Sequence, residues 1–149
     1  MPARSLRVLV VEDYEPFRRF VVSILQKQPE LQIIGEVSDG LEAVQKAKEL
    51  QPDMVLLDIG LPKLNGIDAA RQICKLSPKS KILFVSLESS ADVMQEALAL
   101  GALGYVMKAD VGSELLDAVE VVSQGRRFVS RGLRGSAFAD KTDAQTPDD

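Results

Sequence analysis

Apolar residues along the chain alternate between two spacings. Short continuous runs, as a strand covered on both faces requires, alternate with stretches where apolar residues recur every three or four positions. The first run is Leu6–Val11, interrupted by Arg7. Pro16 then opens a predicted helix with Phe17, Phe20, Val21, Ile24 and Leu25 in register, and Pro29 closes it. Leu31–Val37 is the second strand. Asp39 and Glu42 read as a capping box for a helix through Leu41, Val44 and Ala47. Met54–Leu57 is the third strand, followed by a helix carrying Ile67, Ala70, Ile73 and Cys74 that ends before Pro78. Lys81–Ser86 is the fourth. Ser90 caps a helix with Val93, Met94, Ala97 and Leu98, and Gly101 lies past its end. Leu103–Met107 is the fifth strand. Ser113 is the predicted cap of a last helix through Leu115, Leu116, Val119 and Val122, with Gly125 as its stop.

Five strand–helix units imply an α/β fold: a parallel sheet with helices on both faces. The pattern spans residues 1–130 as one domain. Residues 131–149 are polar with an acidic end (Asp140, Asp143, Asp148, Asp149) and are expected to form a tail or linker.

Composition narrows the function. With 149 residues, 46% hydrophobic and 27% charged, the chain has the make-up of one soluble domain. A net charge of −4 argues against a nucleic-acid surface. The arginines at 126, 127, 131 and 134 read as a solvated helix end. No apolar run is long enough to span a membrane, and no signal peptide precedes the first strand, so a cytoplasmic location is expected. Histidine is absent, which removes imidazole catalysis and histidine–zinc sites. The single cysteine, Cys74, reads as an inert, partly buried thiol.

In open parallel sheets, ligands bind beyond the carboxyl ends of the strands. Strand one ends in Glu12-Asp13, strand three in Asp58, strand four in Ser86 and strand five in Lys108. A parallel sheet brings these onto one edge. Three converging carboxylates repel and call for a cation. All-oxygen ligands with water and phosphate are the Mg²⁺ pattern. Metal, ammonium and hydroxyl together suit a phosphoryl group in transfer, and a carboxylate among them serves as nucleophile, giving an aspartyl phosphate. Asp58 is the best candidate, since it stands alone while Glu12 and Asp13 form the pair. Each residue also has a plainer reading: Glu12-Asp13 as a solvated loop or cap, Ser86 as a backbone partner.

These residues lie in VLVVED (8–13), LLDIGLPKLNGIDAARQI (56–73), FVS (84–86) and GALGYVMKA (101–109). In that order and spacing, from Leu6 to Val129, the chain closely resembles the receiver domain of bacterial two-component response regulators. The resemblance implies a flavodoxin-like fold with strand order 2-1-3-4-5. It implies that Asp58 takes phosphate from the histidine of a kinase or phosphotransfer protein acting in trans. Glu12, Asp13, Asp58 and the backbone carbonyl of Gly60 would hold Mg²⁺. Lys108 would contact a phosphoryl oxygen, Ser86 would hydrogen-bond the phosphoryl group, and Tyr105 matches the aromatic switch position. Their reorientation would remodel a surface for a downstream protein partner or a phosphorylation-dependent homodimer.

The wording around Asp58 and Lys108 is most like receivers that precede a LuxR-type helix-turn-helix. Nothing after Ser130 has the periodicity of such a domain. The expected output is therefore protein contact, with a phosphorylation-independent module or the receiver half of a DNA-binding regulator as alternatives. Beyond slow loss of its own phosphoryl group, no enzymatic turnover is expected. A dehalogenase-like phosphatase would want an acid where Gly60 stands. A nucleotide or flavin module would want a phosphate cradle where Glu12-Asp13-Tyr14-Glu15 stands. Two departures stand out. Leu87, where many receivers have a small residue, predicts slow phosphoryl turnover. Ala109 replaces a frequent cis-proline. Since a cis bond before alanine costs about 2.5–4 kcal/mol, a trans bond is expected there.

Overall fold

The computed structural model describes residues 5–133. In chain order these form β1 (Leu6–Val11), α1 (Glu15–Leu25), β2 (Leu31–Val37), α2 (Gly40–Leu50), β3 (Met54–Leu57), α3 (Gly66–Leu76), β4 (Lys81–Ser86), α4 (Ala91–Ala99) and β5 (Gly104–Met107). A 3₁₀ turn at Lys108–Asp110 leads into α5 (Val111–Ser123), β6 (Phe128–Val129) and α6 (Arg131–Leu133). The sheet is parallel, in the order β2-β1-β3-β4-β5-β6.

The apolar runs are buried on both faces, as their continuity predicts. Leu9, Val11, Val55, Leu57, Phe84 and Tyr105 join the layer beneath α2, α3 and α4. Val8, Val10, Leu56, Leu83, Val85 and Val106 join the layer beneath α1 and α5. Alternate residues of one strand thus feed two cores, as the period of two in a pleated strand requires.

Five strands are those expected; the sixth corrects the count. After α5 the chain turns at Gly125 (φ +80°) and lays Phe128–Val129 along β5, with Phe128 N–H to Leu103 O and Ser130 N–H to Tyr105 O, both 2.9 Å. Two residues are too few for periodicity to reveal. The packing also continues past the expected domain boundary: Leu133, on α6, is buried in the first core. The rest of the expected tail, 134–149, lies outside the described residues.

Local differences have local causes. Helix α5 begins at Val111 because the 3₁₀ turn already directs the chain, so Ser113 lies inside the helix and its hydroxyl bonds Asp110 O instead of capping. Helix α1 ends at Leu25, well before Pro29. Phe20 and Leu41 face outward in part, at 47% and 54% exposure. Asp39, Asn65 and Ser90 each accept a first-turn N–H and cap α2, α3 and α4. The described residues contain no cis peptide bond, so Lys108–Ala109 is trans as expected. Among them, no helix is long and apolar enough to cross a membrane.

Candidate active site

The parallel register delivers the strand ends together. Val11 pairs with Leu57, and Ser86 with Met107. The residues that follow Val11, Leu57 and Met107 are Glu12, Asp58 and Lys108. The ladder runs one step further, with Glu12 N–H bonded to Val37 O and Asp58 N–H to Val11 O. Both carboxylates therefore stand on clamped backbone. The first turn of α3 closes over Asp58 from the other side. A Cβ on Gly66 would lie 2.0 Å from Asp58 O, and the Gly66 N–H bonds Ile59 O at 2.7 Å. Only glycine allows that approach.

Glu12, Asp13 and Asp58 each place a carboxylate oxygen within 4.8 Å of the others. Glu12 and Asp58 are buried, at 4% and 6% exposure, while Asp13 is exposed. Lys108 Nζ lies 2.9 Å from Glu12 Oε1 and 3.1 Å from Asp58 Oδ2. The other oxygens take backbone donors: Tyr14 N–H to Glu12 Oε2 at 3.0 Å and Gly60 N–H to Asp58 Oδ1 at 3.4 Å. Burial raises the Glu12 pKa above the usual carboxylate range, the Tyr14 N–H and Lys108 oppose this, and the charge of Asp58 adds to it. Burial alone would lower the Lys108 pKa, but its bonds to the two carboxylates outweigh burial and hold it above its ordinary value. One ammonium faces three carboxylates. The donor set is all oxygen and still short of positive charge, which fits a hard divalent cation.

Ser86 and Tyr105 meet at a residue the sequence did not single out. Glu88 N–H donates to Ser86 Oγ at 2.9 Å, and Tyr105 OH donates to Glu88 O at 2.6 Å. Both side chains are buried, and burial pushes the Tyr105 phenol up to about 12, with the Ser86 hydroxyl pulling the other way. Leu87, between Ser86 and Glu88, is 75% exposed. Gly60 is exposed in the loop after Asp58.

Two further supports were not legible. Arg18 on α1 donates to the Glu12 carbonyl at 2.9 Å. Buried Glu114 accepts from Ser130 Oγ at 2.8 Å and Arg131 N–H at 3.1 Å, while Ser130 Oγ accepts from Met107 N–H at 2.8 Å. The segment after α5 is thus tied to the residue preceding Lys108. Cys74 is half-buried with its thiol pKa raised by burial, in keeping with an inert role.

Comparison with known proteins bears on this site. The family model described as response regulator receiver domain matches residues 8–120. The transcriptional regulatory protein LiaR of Bacillus subtilis (strain 168) is 36% identical over 134 residues, covering 90% of this chain and 64% of LiaR. The chemotaxis protein CheY of Thermotoga maritima is 37% identical over 118 residues, covering 79% of this chain and 98% of CheY. The crystal structure of a LuxR-family two-component response regulator from Aurantimonas sp. SI85-9A1 superposes with a TM-score of 0.86 at 28% identity, covering 92% of this chain and 98% of that one. The chain thus spans somewhat less than two thirds of the length of LiaR.

Proposed function

The chain belongs to the response regulator receiver domain family, and on that premise we propose that it is a phosphoacceptor in two-component signal transduction, phosphorylated on Asp58 by a partner histidine kinase or phosphotransfer protein. One observation carries the reading: Asp58 is buried at the end of the central strand, 3.1 Å from Lys108 Nζ and grouped with two other carboxylates.

A carboxylate oxygen of Asp58 attacks phosphorus, the bond from phosphorus to the donor's imidazole nitrogen breaks, and the electron pair leaves on that nitrogen. Glu12, Asp13, Asp58 and the Gly60 carbonyl would hold Mg²⁺, which would offset the charge of the carboxylates and the phosphoryl oxygens. Lys108 takes one phosphoryl oxygen and the Ser86 hydroxyl another. The present Ser86 partner is the Glu88 N–H, and the Tyr105 hydroxyl rests on the carbonyl of that same residue. Turning Ser86 toward the phosphoryl group releases Glu88 and, with it, the support of Tyr105. The surface formed by α4, β5 and α5 then changes for a downstream protein partner or a second phosphorylated copy. The chain catalyses its own phosphoryl transfer and a slow dephosphorylation, the bulk of Leu87 next to Ser86 restricting the approach of water. It works in the cytoplasm.

A second reading, the receiver part of a longer DNA-binding regulator, is favoured by the incomplete coverage of LiaR. It leaves the chemistry at Asp58 unchanged.

The test is intact mass after incubation with Mg²⁺ and a small-molecule phosphodonor, beside Asp58→Asn. A gain of one phosphoryl group in the wild type alone is expected. Equal labelling of the variant would move the acceptor elsewhere. No labelling in either, with Mg²⁺ bound, would favour a phosphorylation-independent interaction module.

A further inference from the structure

Lys108 has a third neighbour. The ring of Phe17, on the first turns of α1, lies with its centroid 4.8 Å from Lys108 Nζ, within the range of a cation–π contact. Phe17 is half-buried against the core beneath α1 and α5. Its neighbour Phe20 stands 6.1 Å away, centroid to centroid, and reaches the start of α5, where a Cβ on Gly112 would meet Phe20 Cζ at 3.9 Å. The two rings thus lie along the connection Lys108-Ala109-Asp110-Val111-Gly112. That connection contains no proline and includes a glycine, so its own sequence does little to stiffen it.

We propose that Phe17 is a positioning residue for Lys108, holding the ammonium over the site through the face of its ring. The inference rests on the reading of Asp58 as phosphoacceptor. In the present state two carboxylates hold Lys108. Both are reassigned during the reaction, Glu12 to a metal ion and Asp58 to a phosphoryl group. The Phe17 ring is the contact that neither event removes. It also keeps water from one side of the ammonium, which strengthens every remaining interaction there. A core-filling aromatic would need only its volume, whereas a positioning ring needs the negative charge of its π face.

Fluorination separates the two roles, because it withdraws charge from the ring face with little change of shape. Phe17 is replaced in the 149-residue chain by its mono-, di- and trifluoro analogues. The rate constant for labelling by a small-molecule phosphodonor in Mg²⁺ is measured for each, alongside the urea midpoint. Labelling is expected to slow stepwise, about fivefold across the series, with the midpoint nearly constant. Phe17→Tyr should label like the wild type and Phe17→Leu like the trifluoro form. A flat series, or a slowing that follows the urea midpoint, overturns the proposal. The Lys108 ammonium ¹H–¹⁵N resonance supplies a readout independent of labelling. Its exchange with water should quicken along the same series, and constant exchange would also overturn the proposal. Failure of the Asp58 reading looks different, since wild type would then take up no phosphoryl group while the ammonium resonance still reported on Phe17.

Discussion

The Tyr105 hydroxyl donates to the backbone carbonyl of Glu88 at 2.6 Å, and this bond closes the loop between β4 and α4 over a fully buried ring. Tyr105→Phe removes the donor and keeps the volume. A stability loss of about 1 kcal/mol is expected in urea unfolding. Amide hydrogen exchange should quicken at residues 88–90 and stay unchanged in β3. Equal exchange in both proteins would mean the bond does not hold the loop.

The same phenol makes stability depend on alkali. Its pKa is raised to about 12 from 10, chiefly by burial. A raised folded-state value means its contribution is fully present below pH 10 and is lost as pH climbs through 12. Two pH units correspond to about 3 kcal/mol. Urea unfolding between pH 9.5 and 11.5 should therefore fall more steeply for wild type than for Tyr105→Phe. Parallel slopes would contradict a buried, protonated phenol.

Lys108→Met leaves Glu12 and Asp58 facing each other without their ammonium. Losing one partner from a buried ion cluster costs about 3 kcal/mol. The loss should appear in metal-free urea unfolding at neutral pH and be reduced by millimolar Mg²⁺, as a cation replaces the missing charge. A penalty insensitive to Mg²⁺ would place the cation elsewhere.

Gly66→Ala drives a methyl into the Asp58 carbonyl, where the free approach is 2.0 Å. Overpacking against backbone costs about 3 kcal/mol or more. Thermal unfolding should drop accordingly, and phosphodonor labelling should fall with it because the peptide that moves is that of Asp58. Gly132→Ala serves as the control, since a Cβ there would meet nothing within 4 Å.

Ser130→Ala breaks a buried relay. The hydroxyl accepts from Met107 N–H and donates to Glu114 Oε1, so its loss takes the partner from the Met107 N–H and from one Glu114 oxygen, while Arg131 N–H still holds the other. About 2 kcal/mol of destabilisation is expected. Hydrogen exchange at Met107 and along β6 should rise together. Protection that persists at Met107 would show β6 held by its backbone alone.

Much of this was legible because parallel strands end in register. Asp58 and Lys108 each follow an apolar run, and the topology alone brings such ends to one edge. The five main strands and the helix starts at Pro16, Asp39 and Ser90 carry local signals that no tertiary contact overrides. The parts that were not legible lie between elements. Nothing in the spacing of Phe17 tells a core ring from one beneath Lys108, and nothing near Ser86 marks Glu88 as the hinge for Tyr105. Ser113 misled because a hydroxyl before an apolar run is the ordinary cap signal, while the 3₁₀ turn from Lys108 had already started the helix. Ser130 and Glu114 are polar residues in a stretch that reads as surface, and their bonds to each other, to Met107 N–H and to Arg131 N–H satisfy them in the interior.

The pairing of β1 with β3 also marks time. Glu12 and Asp58 are far apart in sequence and become neighbours only when Val11 docks on Leu57. Their mutual repulsion is therefore absent from the unfolded chain and is met when that pairing forms. Relieving it with Asp58→Asn should speed folding if the pair is already made at the barrier, and slow unfolding if it is made afterwards. A functional cluster of like charges thus doubles as a clock for the order in which the central strands assemble.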